Sequence, residues 1–418
     1  MSEKYKVLVL SDHALSTSGV GCQTRFLIEG LLKKNKWSFR QFGAAIKHTS
    51  YDIVQVNPDF IIKPIDGFGD RNMILQTLIT EQPDAVLIFT DPRFFIWLFE
   101  IEDEIRQLCP IAYWHVWDNY PFPEYNRPLY ESTDLINCHS HMTYEMVKKE
   151  FPEGTNFIPH SLPEDIFYPL SDQEIKRYRR EVLGPDSENK FVLFWVNRNA
   201  RRKRPNDVLW AWKKFLEKSG NFGKKSDCIL LMHTDPNDSE GPNLLETASS
   251  LGIKDSIVFS NQRLEFEKMN VLHNMSDACI NISYAEGFGL ATLEAMNCGN
   301  PIIAAKTGGL TRQVVDHRDG SENGVALPIR CQTLVGSQSV PYIFEDYVDV
   351  DETADAILKI YKMTKEERKA LGQKARDYAL SEFSYQKTID LWDQTLENLI
   401  LERREKPLRR WDIQEVKP

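Results

Sequence analysis

Short apolar runs alternate with amphipathic segments along almost the whole chain, and this alternation restricts the possible folds more than any other feature. Val7–Leu10, Ala85–Phe89, Ile111–Val116 and Leu135–Cys138 are the runs of the first half. Phe191–Val196, Cys228–Met232, Ile257–Phe259, Ala278–Ile282 and Ile302–Ala305 are those of the second. Each is short and rich in branched residues, as strands buried on both faces are. Helical patterns lie between them: Val208, Ala211, Trp212 and Phe215 follow the i, i+3, i+4, i+7 rule, and so do Ala354, Ile357, Leu358 and Tyr361. Strand–helix alternation of this kind predicts an α/β chain with parallel sheets covered on both faces.

The pattern pauses between about Pro159 and Asn189, where prolines and a charged stretch, Lys176–Glu181, replace it. The domain join is placed there, near Ser161–Pro169. The expected division is a Rossmann-like domain over 1–165, a second over 166–384, and a C-terminal helix and tail over 385–418 that packs back on the first domain. Two such domains are expected to face each other across a cleft, where ligands bind at the carboxyl ends of the strands. Thr364–Ile400 reads as two helices broken at Phe383-Ser384.

Composition narrows the class. The 418 residues are 42% hydrophobic and 27% charged, ordinary values for a globular chain with an ample core. No apolar stretch reaches the roughly 18 residues of a membrane span. The run Val7–Leu10 is too short for a signal peptide's apolar core and is read as the first strand. The seven cysteines form no C-x-x-C pair, so a reducing, cytoplasmic setting is expected. A net charge of −10 argues against a protein that coats nucleic acid.

The strongest chemical signal is Ala285-Glu286-Gly287-Phe288-Gly289-Leu290-Ala291-Thr292-Leu293-Glu294-Ala295-Met296. It follows a strand and opens a helix. Gly287 and Gly289 let backbone approach a ligand closely. The free N–H groups and positive dipole end of the helix suit a diphosphate. Glu286 and Glu294 are acceptors suited to sugar and ribose hydroxyls. The plainer alternative is a tight strand–helix turn with acidic residues. A second signal, Val196-Asn197-Arg198-Asn199-Ala200-Arg201-Arg202-Lys203-Arg204-Pro205, puts fixed cations after a strand, where a departing diphosphate gains charge. It also reads as a solvated basic loop or a nucleic-acid contact. A third is Ser16-Thr17-Ser18-Gly19-Val20-Gly21, expected as a loop before a helix at Cys22–Leu32. A fourth is His115, which ends a strand and is expected to point into the cleft.

These segments resemble the retaining family 4 glycosyltransferases, which have the GT-B fold and an E-x7-E signature. The resemblance covers about Phe191–Ile329 most firmly. It implies that Glu294 binds donor ribose, that Glu286 contacts the donor sugar, and that Gly287, Phe288, Gly289 and Leu290 supply backbone donors. It implies that Arg198 and Lys203 meet the diphosphate, with Arg202, Lys203 and Arg204 as alternative registers. Gly19, Val20 and Gly21 resemble the family's first glycine-rich loop, and His115 a histidine that meets the donor sugar. The implied activity is transfer of a sugar from a nucleotide-sugar donor, with retention, to an unknown acceptor (glycan, protein, small molecule or modified DNA) held by the N-terminal half.

No metal or other cofactor is expected. Asp349-Val350-Asp351 reads as a helix cap, and His139-Ser140-His141 and His233-Thr234-Asp235 lack a third ligand. Phe157–Ser161 and Phe167–Pro169 resemble the interdomain hinge. Three alternatives stay open: a sugar-nucleotide epimerase, a non-catalytic nucleotide-sugar-binding module, and a DNA-base glycosyltransferase acting on a flipped, hydroxylated base. The last would use Arg198–Arg204 with Phe94, Phe95, Trp97, Trp114 and Trp117. Oligomeric state is not legible.

Overall fold

The computed structural model of the protein describes residues 4–223 and 227–407. The chain forms two compact units. Of the described residues, one unit comprises 4–117, 122–160 and 386–407; the other comprises 118–121, 161–223 and 227–385.

The first unit is built on an eight-stranded sheet of β1 (Tyr5–Asp12), β2 (Trp37–Ala44), β3 (Val54–Asn57), β4 (Phe60–Pro64), β5 (Ala85–Phe89), β6 (Ile111–His115), β7 (Leu135–Cys138) and β8 (Thr155–Phe157). Their order is β3-β4-β2-β1-β5-β6-β7-β8, and only the β3–β4 pair is antiparallel. The Tyr385–Glu405 helix, from Gln386 on, closes one face of this unit. The Trp392 ring packs at a tilt, 4.9 Å from that of Trp114, and Asp393 accepts a bond from Trp37 Nε1 at 2.7 Å. Residues 408–418 of the expected tail lie outside the described residues.

The second unit carries a six-stranded, wholly parallel sheet of β9 (Phe191–Val196), β10 (Cys228–His233), β11 (Ile257–Ser260), β12 (Ala278–Asn281), β13 (Ile302–Ala305) and β14 (Val325–Leu327). Its order is β11-β10-β9-β12-β13-β14. The chain moves outward from β9 to β10 and β11, then crosses back to place β12 on the other side of β9. The order therefore reverses between β9 and β12, and a crevice opens at their carboxyl ends. The segments that leave β9 and β12 there are Asn197–Arg204 and Ile282–Gly289. A hairpin, β15 (Cys331–Val335) and β16 (Ile343–Tyr347), follows β14.

The expected α/β architecture is found, with three local differences. The charged stretch Lys176–Glu181 is helical, inside Asp172–Leu183. Ser171 and Glu174 form a reciprocal cap at its start, and Tyr178 and Leu183 pack under β9. The first glycine-rich segment is not a loop through Gly21. The helix starts at Gly19, because Ser18 caps it by accepting from Gly21 N at 3.0 Å. Gly21 is small of necessity, since a Cβ there would lie 2.2 Å from Ser16 Oγ. β2 holds Ser38, Arg40, Gln41 and Gly43, a composition that hides a strand.

Candidate functional site

The site lies within the second unit, at the switch point. After β9 the chain makes a short 3-10 turn, Arg201–Lys203. Arg204 ends it in the left-handed region (φ 52°), and Pro205 then opens the Pro205–Ser219 helix. This geometry sends consecutive basic side chains in different directions. Arg201 pairs with Glu345. Arg202 Nη1 donates to the Ala285 carbonyl at 2.6 Å and lies 3.5 Å from Asp118 Oδ2 and 3.9 Å from Glu286 Oε2. Lys203 pairs directly with Glu286. Arg204 is buried, bonded to Asp207 at 2.6 Å, and packs 5.2 Å from the Tyr284 ring centroid. Of the three alternative registers, Lys203 is the residue that pairs with Glu286, with Arg202 beside it. Arg204 is part of the framework.

The second segment is tied to the first by Tyr284 N donating to Arg202 O at 2.9 Å. Glu286 is buried, yet its carboxyl is held at about 2. Burial alone would raise it, but the charges of Lys203 and Arg202 outweigh that penalty. Gly289 adopts φ 94°, where a Cβ would meet Leu310 at 2.4 Å. It begins the Leu290–Asn297 helix with no side-chain cap, so the helix's first turn is left for another acceptor. Glu294, one turn on, is hydrogen-bonded to His273 Nε2 at 2.9 Å. His273 is fully buried, and its Nδ1 has no partner among the described residues.

Arg198 is not brought to this cluster. Its guanidinium is 64% exposed and bonded to Asp238 at 2.7 and 3.1 Å. Gly19, Val20, Gly21 and His115 belong to the first unit. His115 corrects the expectation of a side chain in a cleft. It is wholly buried, its Nε2 is 2.8 Å from Tyr130 Oη, and its ring packs edge-on to Tyr113 and Tyr130. The reason is the partner: Tyr130, itself buried, gives the ring a bond on the core side. Burial holds the His115 imidazole down at about 3. His160, stacked 4.7 Å from His139, is held low as well. In the unfolded chain these rings take up protons near pH 6.5. Between that pH and the folded value the unfolded state binds more protons, so stability falls as pH falls. The expected slope is about 1.4 kcal/mol per pH unit for each such ring. Thermal melts from pH 7.5 to 5 should show this loss, and His115→Gln should flatten the curve. An unchanged slope would contradict the buried, neutral assignment.

Several site residues gave no sequence signal at short range. Thr307-Gly308-Gly309 follows β13 and lies against the Glu286 loop, with Gly309 N donating to Glu286 O at 2.9 Å. A Cβ on Gly308 would fall 2.0 Å from Glu286 O, and one on Gly309 2.5 Å from Gly287 O. The paired glycines after a strand were the available clue. Gln313 donates to the carbonyls of Phe288 and Gly289 at 2.8 and 3.1 Å. Asp349, as expected, caps its helix by accepting from Glu352 N at 2.9 Å. Among the described residues no group of three or more His, Cys, Asp or Glu side chains is arranged to hold a metal ion. Nor, among them, is any helix long and apolar enough to cross a membrane.

Comparison with known proteins bears on family and fold. Residues 177–329 match the model of a family described as glycosyl transferases group 1. A D-inositol 3-phosphate glycosyltransferase of Acidothermus cellulolyticus is 29% identical over 235 residues, 52% of this chain and 50% of that one. An N-acetyl-alpha-D-glucosaminyl L-malate synthase of Bacillus anthracis is 26% identical over 247 residues, 57% of this chain and 58% of that one. The chain thus spans about half the length of the curated relatives it matches. Among solved structures, sucrose-phosphate synthase from Thermosynechococcus elongatus superimposes with a TM-score of 0.72 at 18% identity, over 96% of this chain and 100% of that one. The Anabaena protein HepE, in complex with UDP and glucose, superimposes with a TM-score of 0.69 at 17% identity, over 94% and 99%. The fold is GT-B, two Rossmann-like parallel-sheet units.

Proposed function

We propose, from the match of residues 177–329 to the glycosyl transferases group 1 model, that the chain transfers a sugar from a nucleoside-diphosphate sugar to an acceptor, with retention of anomeric configuration. The observation that carries the proposal is the Arg202–Lys203–Glu286 cluster beside an uncapped helix start, at the switch point of a parallel sheet. Two cations and a row of backbone N–H groups suit a diphosphate, and a carboxylate suits the sugar.

In this reading the donor diphosphate lies over the Gly287–Leu290 turn. Glu294 accepts ribose hydroxyls with the oxygen that His273 does not hold. Lys203, now facing Glu286, is shared between that carboxylate and the diphosphate. Charge grows on the leaving oxygen as the C1–O bond breaks, so the fixed cations favour the transition state over the intact donor. The acceptor oxygen forms the new bond to C1 on the same face, and its proton passes to the departing phosphate. Arg198, exposed on Asp238, reaches the diphosphate only by leaving that partner. His115 serves the core of its own unit. The cations already present do the work a metal would do, so no metal is required. Arg198 and Arg201 to Arg204 all have partners within their unit, which argues against a nucleic-acid groove built on this run.

The test is consumption of a panel of nucleotide sugars, each assayed with excess chelator. Release of nucleoside diphosphate from at least one donor is expected. No release from any donor, or release only after a divalent ion is restored, contradicts the proposal in its first or its metal-free part.

A further inference from the structure

Three stretches far apart in sequence build the wall of this site: Asp118-Asn119, Tyr284–Glu286 and Thr307–Gly309. All three are bonded to one residue of the hairpin. Asp346, on β16, is 4% exposed. Its Oδ2 accepts from Asn119 Nδ2 at 3.0 Å and from Thr307 Oγ1 at 2.6 Å. Its Oδ1 accepts from Gln332 Nε2 at 2.7 Å, across the hairpin. Its own N–H donates to Tyr284 O at 2.9 Å. The three side-chain donors are neutral, so the carboxylate works here through directed bonds to fixed groups.

Each bond leads to a site group. Asn119 adjoins Asp118, whose carboxylate lies 3.5 Å from Arg202 Nη1. Asn119 Nδ2 also donates to Phe344 O at 3.1 Å, so two acceptors fix which way its amide points. Phe344 N in turn donates to Tyr120 O at 2.8 Å, which seats the whole Asp118–Pro121 segment on β16. Thr307 leads into Gly308, packed on the Glu286 carbonyl. Tyr284 stands two residues before Glu286. The neighbouring hairpin residue Glu345 holds Arg201, which leaves Arg202 and Lys203 as the cations turned toward Glu286.

We infer that Asp346 is a positioning residue of the donor site: it sets Asp118 and the Thr307–Gly309 turn against the Glu286 loop without meeting the donor itself. The kinetic part of this inference rests on the proposed transfer activity. The structural part stands on the bonds alone.

Asp346→Ala removes the acceptor common to Asn119 and Thr307. Asp346→Asn keeps it, because the Gln332 amide can turn its oxygen toward the new N–H group while the remaining carbonyl oxygen, in the place of Oδ2, still serves the other two. Misplacement of site groups by fractions of an ångström should lower turnover by about tenfold to a hundredfold in Asp346→Ala. Nucleoside-diphosphate affinity, set chiefly at Glu294 and the Gly287–Leu290 turn, should stay within about twofold, well under the 1.4 kcal/mol that corresponds to tenfold. Asp346→Asn should recover most of the rate. In hydrogen exchange, Asp346→Ala should speed the amides of 118–121 and 307–309 together, with β9 and β10 unchanged. The inference is overturned if those two segments do not loosen together, or if β9 and β10 loosen with them. It is also overturned if turnover and diphosphate affinity fall in step, which would mark a merely structural residue. If the wild-type chain consumes no nucleotide sugar, the proposed activity fails, and the exchange pattern still decides the role of Asp346.

Discussion

Lys203→Ala should lower kcat by about a hundredfold or more, the scale seen when one preorganised electrostatic group is removed from a reacting site. The side chain is only 13% exposed, and its ammonium is held on Glu286 within a cluster that already includes Arg202. A charge held there needs no reorganisation as the leaving diphosphate develops. The donor's KM should move less than kcat, because the interaction strengthens as the bond breaks. Lys203→Arg should not restore the rate, since a planar fork cannot occupy the point-charge position against Glu286. Arg198→Ala should be milder, because an exposed guanidinium is screened by solvent. Arg204→Ala should act on the melting temperature, through its buried bond to Asp207 and its packing on Tyr284. Steady-state kinetics and thermal melts of the four variants check this order. A severe Arg198→Ala beside a mild Lys203→Ala would reverse the assignment.

Gly308→Ala should be damaging to both stability and rate. The residue has φ 48°, a region costly for a side chain, and the added methyl would sit 2.0 Å from Glu286 O and 2.7 Å from Asp118 O. Both neighbours are backbone, so neither can swing aside. Overpacking and left-handed strain together suggest a loss of about 2–4 kcal/mol. The shift that relieves the clash must move the Glu286 loop or the Asp118 segment. Turnover should therefore fall more than the melting temperature alone accounts for. Gly320→Ala, at φ 75° with open space around the Cβ, carries the backbone strain without the clash and serves as the control. Equal effects at the two glycines would contradict the role given to the Gly308 contact.

Much of the fold was legible because its strands are buried on both faces, so that Ala85–Phe89 or Phe191–Val196 reads as an unbroken apolar run. β2 escaped notice because it buries polar residues, Ser38 and Gln41, and Gln41 is satisfied at long range: its Nε2 donates to Ser11 Oγ at 2.8 Å. The β15–β16 hairpin escaped for the opposite reason, since Cys331–Val335 is largely exposed and has no apolar face to reveal it. At the site, residues in the segment that follows a strand announced themselves by type and spacing: Lys203 after β9, and Glu286, Gly289 and Glu294 after β12. Orientation was not legible. Which of Arg202, Lys203 and Arg204 faces the loop depends on a left-handed residue at Arg204, and where His115 points depends on Tyr130. Asp118, Thr307 and Asp346 matter through contacts across 39 to 227 residues of chain, which no local pattern encodes.

The most direct test of the central claim, that the β9–β12 crevice holds a nucleoside diphosphate, is a calorimetric titration of that ligand into wild type and Glu294→Ala. Glu294 is chosen because its carboxylate is already oriented by the buried His273. Losing a charged hydrogen bond to the ribose should weaken binding by about 1.5–3 kcal/mol. Glu294→Gln, which keeps a bond to His273, should shift affinity in the same direction while the melting temperature stays near wild type. Affinity unchanged in both variants would place the nucleotide elsewhere and contradict the claim.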